Sequence, residues 1–382
     1  MTTDETRSNG GALTSAPVFE PETVLVTGGA GFIGSNLVRW LLRHTQAQVV
    51  NLDLLTYAGN LESLADVFAE HGADGSGRHH FLHGDVRDGA LVSRVLAGRA
   101  TETSTGRVVP PPQAILHLAA ESHVDRSILG PGAFVSTNVQ GVVTLLECVR
   151  AELDERPRPF RFVNVSTDEV YGSLGQSDAP FTEVHPLSPN SPYAASKAGG
   201  DCLVRAYART FGVTCLTTRC SNNYGPYQFP EKLIPLMITR ALGNQPLPVY
   251  GDGLNVRDWL HVDDHVAALW LVCTHGRPED EIYNIGGCCE ITNLELVQRL
   301  LVLLQRPSSL IRHVSDRLGH DRRYATDITR IQTNLGWSPV RRFDEGLCDT
   351  VAWYLNNYTW WERVQAEAYR ASQALYLAHV AE

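Results

Sequence analysis

The run Val24-Leu25-Val26-Thr27-Gly28-Gly29-Ala30-Gly31-Phe32-Ile33-Gly34 constrains this chain more than any other stretch. A short β-branched segment, Thr23–Thr27, leads into glycines at 28, 31 and 34, and an apolar helical segment follows from Phe32 to about His44. Glycines at a strand-to-helix turn let the backbone pass close to a ligand. The helix N-terminus then offers unpaired N–H groups to negative charge. A Gly-rich turn alone is often no more than a turn, so its setting decides. Asp53 closes the next strand, Gln48–Asp53, nineteen residues beyond Gly34. There an acid accepts hydrogen bonds from an adenine ribose and disfavours a 2′-phosphate. The pattern predicts a dinucleotide site for NAD rather than NADP.

Strands and helices continue to alternate. His80–His83, Gln113–Leu118 and Phe160–Ser166 read as strands, with a long helical segment from about Gly132 to Leu153 between the last two. The expected fold is α/β, a Rossmann-like doubly wound parallel sheet, with a smaller interleaved α/β substrate domain. Ligands of such sheets sit at C-terminal strand ends, which singles out Asp85-Val86 and Leu118-Ala119-Ala120. Two insertions, Ala73–Arg78 and Thr101–Pro112, read as surface loops without chemistry. After about Ser221 the alternation weakens. The expected boundaries are a disordered extension over 1–21 and a dinucleotide domain over 22–220, to which 255–285 return. The substrate domain takes 221–254 and 286–372, with a helical tail beyond Trp361.

Composition limits the partners. A net charge of −10 and a pI near 5.8 argue against a nucleic-acid surface, which needs a basic stripe. An anionic ligand would then have to be held by a few placed Arg, Lys and backbone N–H groups. The eight cysteines include no CxxC pair, which suggests reduced thiols in a cytoplasmic protein. Nothing reads as a metal site. The polar N-terminus lacks the apolar core of a signal peptide, and no apolar run is long enough to span a membrane.

Tyr193 and Lys197 stand four apart in Ser191-Pro192-Tyr193-Ala194-Ala195-Ser196-Lys197, behind start signals for a helix. A free phenol holds its proton to a pH of about 10; an adjacent ammonium and a positively charged nicotinamide ring would favour the phenolate. Tyr193 could then take a proton from a sugar hydroxyl as a hydride leaves. Ser166-Thr167-Asp168-Glu169 follows the fifth strand. Oxidation alone has no use for an acid and a base side by side, whereas water elimination does. Regular strand geometry points residues 168 and 169 to opposite faces, so the chain must leave the strand at or before Asp168 for both to reach one substrate.

The stretches TGGAGFIGS, TYAGNLESL, HLAAESHVDRS, STDEVYG, SPYAASKAG, SNNYGPYQFPEKLIPL, RDWLHVDDH, YNIGG, GHDRRYA and LGWSP together resemble the nucleotide-sugar dehydratases of the extended short-chain dehydrogenase/reductase family. The resemblance runs from about Val24 to Trp361. It implies a nucleotide-diphosphate hexose as substrate, dTDP-glucose foremost, and a homodimer formed through Pro192–Phe211 and Gly132–Leu153. It makes Tyr193 the base for C4 oxidation with Lys197 as its partner, and places Thr167 on the C4 oxygen. Glu169 would take the C5 proton and Asp168 would protonate the C6 hydroxyl. It adds Leu54, Leu55, Thr56 and Thr137 to the cofactor site. Asn222 and Arg257 match substrate and diphosphate contacts, with Ser122, Lys232, Tyr250, Asn293, Arg317 and His320 as further contact positions. For Arg257 a salt bridge with Asp258 is the plainer alternative. His261 stands where the family often has Tyr, and the loop after Tyr171 is shorter than in many relatives. The alternatives are the same chemistry on a UDP-sugar or a C4 epimerase, and an epimerase would not need Asp168-Glu169.

Overall fold

The computed structural model describes residues 19–366. Most of the expected extension, and the end of the expected tail, lie outside the described residues. Residues 19–21 do not read as disordered. Phe19 N–H donates to the Thr274 carbonyl at 3.0 Å, and the Arg161 guanidinium lies over the Phe19 ring.

The strands are β1 (Thr23–Thr27), β2 (Gln48–Asp53), β3 (His79–His83), β4 (Ala114–His117), β5 (Arg161–Thr167), β6 (Cys215–Cys220), β7 (Asn222–Tyr224), β8 (Leu247–Tyr250), β9 (Val256–His261), β10 (Ile282–Ile285), β11 (Glu290–Thr292) and β12 (Ile311–Val314). Seven of them form one parallel sheet in the order β10-β6-β5-β4-β1-β2-β3. Every residue of β1, β4, β5 and β6 is buried, as expected where helices cover both faces of a sheet. One apolar layer packs Leu37, Leu41, Val266, Leu269 and Val272 on the first face; the other packs Val92, Val95, Leu145, Leu146 and Val149 on the second. The order reverses between β1 and β4, so a crevice opens at their C-terminal ends.

The second unit holds a three-stranded sheet, β11-β9-β7, and a parallel pair, β12-β8, around its own core of Met237, Ile238, Trp259, Leu300 and Tyr354. This corrects one boundary. Residues 255–285 do not return to the main sheet as a block: Val256–His261 pairs with β7 and β11, and only helix Val262–His275 and β10 go back. The physical cause is the partner of β9, because Arg257 and Asp258 pair with Ile291 and Glu290 of β11.

Two further expectations change. The Thr101–Pro112 insertion is not all surface loop, because Glu102 is buried and accepts from Arg107 Nε at 2.9 Å with His80 Nδ1 2.7 Å away. Thr103 N–H reaches the Phe81 carbonyl, so the insertion covers the open edge of the sheet at β3. Pro131–Glu155 is long and apolar enough, by length and composition, to cross a membrane. Here Val142, Leu145, Leu146 and Val149 of this helix are buried against the sheet, which makes it a core helix.

Candidate active site

A cavity of about 600 Å³ runs along the C-terminal ends of β1, β2, β4 and β5 and on between the two units. At its dinucleotide end Gly28 has φ +73°, and a Cβ there would stand 2.7 Å from the Ala119 nitrogen. A Cβ on Gly34 would lie 2.0 Å from the Gly28 carbonyl oxygen, so the helix starts directly against the turn. Gly31 caps that helix and has no side chain to satisfy the first-turn N–H groups; Gly31, Phe32 and Ile33 all line the cavity. An uncapped thirteen-residue helix aimed into a cleft fits a diphosphate.

Asp53 is buried, with Oδ2 accepting from Ala30 N–H at 2.8 Å and Oδ1 from Leu55 N–H at 2.7 Å. Burial lifts its proton affinity despite these two bonds. Each carboxylate oxygen has a second lone pair, so ribose hydroxyls can still donate to it. Leu54 and Thr56 line the cavity beside it, as do Asp85, Val86, Leu118, Ala119, Ala120 and Thr137. Leu55 does not. Its backbone turns to φ +54° to reach Asp53, and its side chain packs on the apolar core. Thr137 lies in a π-helical stretch, Ser136–Gln140, in which Asn138 Nδ2 donates to the Ser196 hydroxyl at 2.9 Å and so ties this helix to the one carrying Tyr193.

Strand β5 ends at Thr167, and a 3₁₀ turn, Asp168–Tyr171, begins at once. That exit brings Thr167, Asp168 and Glu169 to the same cavity as Tyr193 and Lys197. Thr167 caps the turn, its hydroxyl oxygen accepting from Glu169 N–H at 3.3 Å. Burial holds the Asp168 proton well above the usual carboxylate range; Glu169 and Asp258 add to the effect, while Arg257 and Thr167 oppose it. Its Oδ2 has no hydrogen-bond partner among the described residues. Burial raises Glu169 as well, but Arg317, Arg257 and Lys232 pull it back toward the ionised form. Both carboxyls are raised by burial, and the larger number of cations around Glu169 distinguishes its surroundings from those of Asp168.

The helix Pro192–Phe211 starts with Ser191 accepting from Ala194 N–H and Pro192 in the first turn. Tyr193 and Lys197 lie one turn apart and both reach the cavity. Burial and the charge of Glu169 push the Tyr193 phenol well above its ordinary value, with Thr167 hydrogen bonding in the other direction. Lys197 Nζ donates to the Val165 carbonyl at 2.8 Å, and burial lowers its proton affinity.

The far end of the cavity carries the predicted sugar and phosphate contacts. Arg257 is buried and makes no salt bridge with Asp258; its guanidinium donates to the Val256 and Asp321 carbonyls and lies over the Tyr324 ring at 4.4 Å. Asp258 instead accepts from Gly287 and Cys289 N–H. Lys232 Nζ donates to the Ser122 carbonyl at 2.8 Å. Asn222 and Asn293 each keep a buried Oδ1 without a partner among the described residues. Tyr250 O–H donates to Asp125 at 3.1 Å, Arg317 stands 3.8 Å from the same carboxylate, and His320 bonds Asp316 at 2.6 Å. His261 is buried and caps helix Val262–His275 through Asp263 N–H, which is work for a cap rather than for chemistry.

Sequence reasoning missed Tyr324, Glu121, His123, Asp125, Glu231 and Cys220, all of which line the cavity. Glu121, His123 and Asp125 stand in HLAAESHVDRS, Glu231 directly precedes Lys232, and Tyr324 stands in GHDRRYA, so five of them lay inside stretches already singled out and only Cys220 lay outside.

The sequence pattern of the GDP-mannose 4,6 dehydratase family matches residues 25–350. Two curated relatives are dTDP-glucose 4,6-dehydratases. The one from Neisseria meningitidis serogroup B is 51% identical over 362 residues, 91% of this chain and 97% of its own. The one from Escherichia coli is 47% identical over 369 residues, with the same coverage of both chains. Among solved structures, the dTDP-glucose 4,6-dehydratase DesIV of Streptomyces venezuelae, with NAD bound, superposes with a TM-score of 0.80 at 50% identity, covering 90% of this chain and 99% of its own. The UDP-glucose 4-epimerase of Thermotoga maritima gives 0.76 at 28% identity, covering 88% and 99%.

Proposed function

The chain belongs to the dTDP-glucose 4,6-dehydratase family, and we propose that it is a lyase converting dTDP-glucose to dTDP-4-keto-6-deoxyglucose. NAD, held by the uncapped helix at Phe32 and by Asp53, accepts the hydride from C4 and returns it to C6. Tyr193 takes the proton of the C4 hydroxyl, whose oxygen Thr167 holds. The C4 ketone acidifies C5–H. Glu169 removes that proton while Asp168 protonates the departing C6 hydroxyl, and C5 is reprotonated once the hydride has returned. Arg257, Lys232 and Arg317 supply the charge-assisted donors that a diphosphate calls for.

One observation carries this reading: a buried, proton-retaining Asp168 and a cation-flanked Glu169 share one cavity with Tyr193 and Lys197. A C4 epimerase has no step for such a pair. The test is to incubate the purified protein separately with dTDP-glucose and UDP-glucose and follow the alkaline absorbance of a 4-keto product. Signal with dTDP-glucose alone supports the proposal, and signal only with UDP-glucose moves the specificity. A 4-epimer in place of a ketone sinks the lyase.

The proposal extends to a cytoplasmic homodimer paired through Pro192–Phe211 and the Gly132–Leu153 segment. Val135 and Phe211 on these two helices are about half exposed, at 55% and 50%. Sedimentation at micromolar concentration tests the assembly.

A further inference from the structure

Behind the floor of the active site lies a buried ionic group that the reaction above does not use. Asp201 follows Lys197 by four residues on the same helix, and so lies on the same face one turn on. It is 4% exposed. Its Oδ2 accepts from Arg219 Nε at 2.9 Å, and its Oδ1 accepts from Asn164 Nδ2 at 3.0 Å. Asn164 neighbours Val165, whose carbonyl receives the Lys197 ammonium. The Arg219 guanidinium lies 4.7 Å over the ring of Tyr171, and the Tyr171 hydroxyl donates to Asn284 Oδ1 at 2.8 Å. Tyr171 ends the 3₁₀ turn that begins with Asp168 and Glu169. One buried pair therefore touches both halves of the machinery: the helix of Tyr193 and Lys197 on one side, and the acid–base turn on the other.

We propose that Asp201, paired with Arg219, is a positioning residue that sets a carboxylate one helical turn from Lys197 and fixes the Tyr193–Lys197 helix against the turn carrying Asp168 and Glu169. A buried ion pair is weak evidence for stability, since apolar replacements often do as well. Its placement at this junction gives it another use. Lys197 is faced by Asp201 from its own helix, by Cys220 from β6 and by His117 from β4; Arg219 stands beyond Asp201. Burial drives the Lys197 proton off, and Asp201 is the first group that opposes this. Burial likewise favours a neutral Asp201, and Arg219 is the first group that opposes this.

The inference rests on the dehydratase reading for its catalytic consequence, but the charge coupling can be measured without substrate. The chain contains two lysines, Lys197 and Lys232, so ε-¹³C-lysine labelling gives two side-chain signals, assigned with Lys232→Arg. In Asp201→Asn the Lys197 signal should titrate at a lower pH, by on the order of one unit, while that of Lys232 stays in place. With dTDP-glucose, the alkaline limb of kcat should move down by the same amount while KM changes little. A melting curve reads the fold separately. Arg219→Gln lets Asp201 take up a proton and should move the same signal and the same limb in the same direction, which covers the case in which Asp201→Asn does not fold. Asp201→Glu, which retains the charge, should return the limb toward the parent position. A Lys197 titration that is unchanged in Asp201→Asn or Arg219→Gln overturns the proposal. So does a pH profile that loses height without moving. A parent protein that shows the lysine coupling but does not turn over dTDP-glucose refutes the dehydratase reading instead.

Discussion

Replacing Asp168 by asparagine keeps the shape of the side chain and removes its acidic proton. In the folded chain this carboxyl is buried, one oxygen has no partner among the described residues, and its proton is held well above the usual carboxylate range. The unfolded chain ionises it at about pH 4. Above that pH the folded state therefore binds one proton more than the unfolded state at this site. Its contribution to stability falls by about 1.4 kcal/mol per pH unit until the folded carboxyl itself titrates. Asparagine carries no such slope. Asp168→Asn should melt higher than the parent, and the gap should widen as the pH rises from about 5 toward neutrality. In the proposed reaction the same change removes the proton that would go to the C6 hydroxyl. General-acid contributions of about 10²–10⁴-fold correspond to roughly 3–5 kcal/mol of barrier, and overall turnover should drop by that factor. Oxidation at C4 continues, so NADH absorbance should rise on adding dTDP-glucose and persist. Unchanged turnover, or a melting gap that narrows with rising pH, would show that Asp168 is not a neutral acid in the fold.

Three further substitutions test the remaining roles. Glu169→Gln should stop solvent deuterium from entering at C5, read by mass spectrometry of the product; normal incorporation removes Glu169 from the proton-abstraction step. Tyr193→Phe should abolish the NADH signal on substrate addition, with a loss of about 10²-fold or more in the first half-reaction, and a normal signal assigns the base elsewhere. Arg257→Met should raise KM for the nucleotide sugar about tenfold or more, the scale of a charge-assisted hydrogen bond lost. An unaltered KM would place the diphosphate on other donors.

Much of this site was legible because its chemistry is local in sequence. The turn from β1 into the first helix needs glycine at 28 and 34 for contacts made within a few residues and with Ala119, so the fingerprint could be read in place. The exit of the chain at Asp168 was forced by strand alternation, and the 3₁₀ turn supplies it. What stayed hidden depends on partners far along the chain. Leu55 was placed in the cofactor site, but its side chain packs on an apolar core that also draws in Val266, Leu269 and Val272, more than two hundred residues later. Glu102 looked like loop, because its partner His80 lies 22 residues earlier. β9 was given to the wrong sheet because its partner residues in β11 come 32 to 36 residues later. The spacing of Tyr193 and Lys197 puts them on one face, but it does not say that the ammonium turns to Val165, nor that Glu169 raises the phenol.

The charge balance of the cavity follows from the same distinction between spacing and partner. With a net charge of −10, the chain must place positive charge locally to hold a diphosphate. Outside the cavity, arginines meet carboxylates: Arg322 pairs with Asp252, Arg323 with Glu290 and Arg341 with Asp349. Inside it Arg87 pairs with Asp85 and Arg317 stands 3.8 Å from Asp125, but Lys197 donates to the Val165 carbonyl, Lys232 to that of Ser122, and Arg257 to those of Val256 and Asp321. A carbonyl satisfies a donor without cancelling its charge, so these buried cations keep their field for an anion, and in a poorly solvated cleft that field is only weakly screened. The same cations oppose the effect of burial on Glu169, and Arg257 opposes it on Asp168 as well, where Glu169 and Asp258 act the other way. The groups suited to bind a diphosphate thus also act on the two neighbouring carboxyls. Arg257→Met should therefore raise the proton affinity of both carboxyls as well as weaken binding.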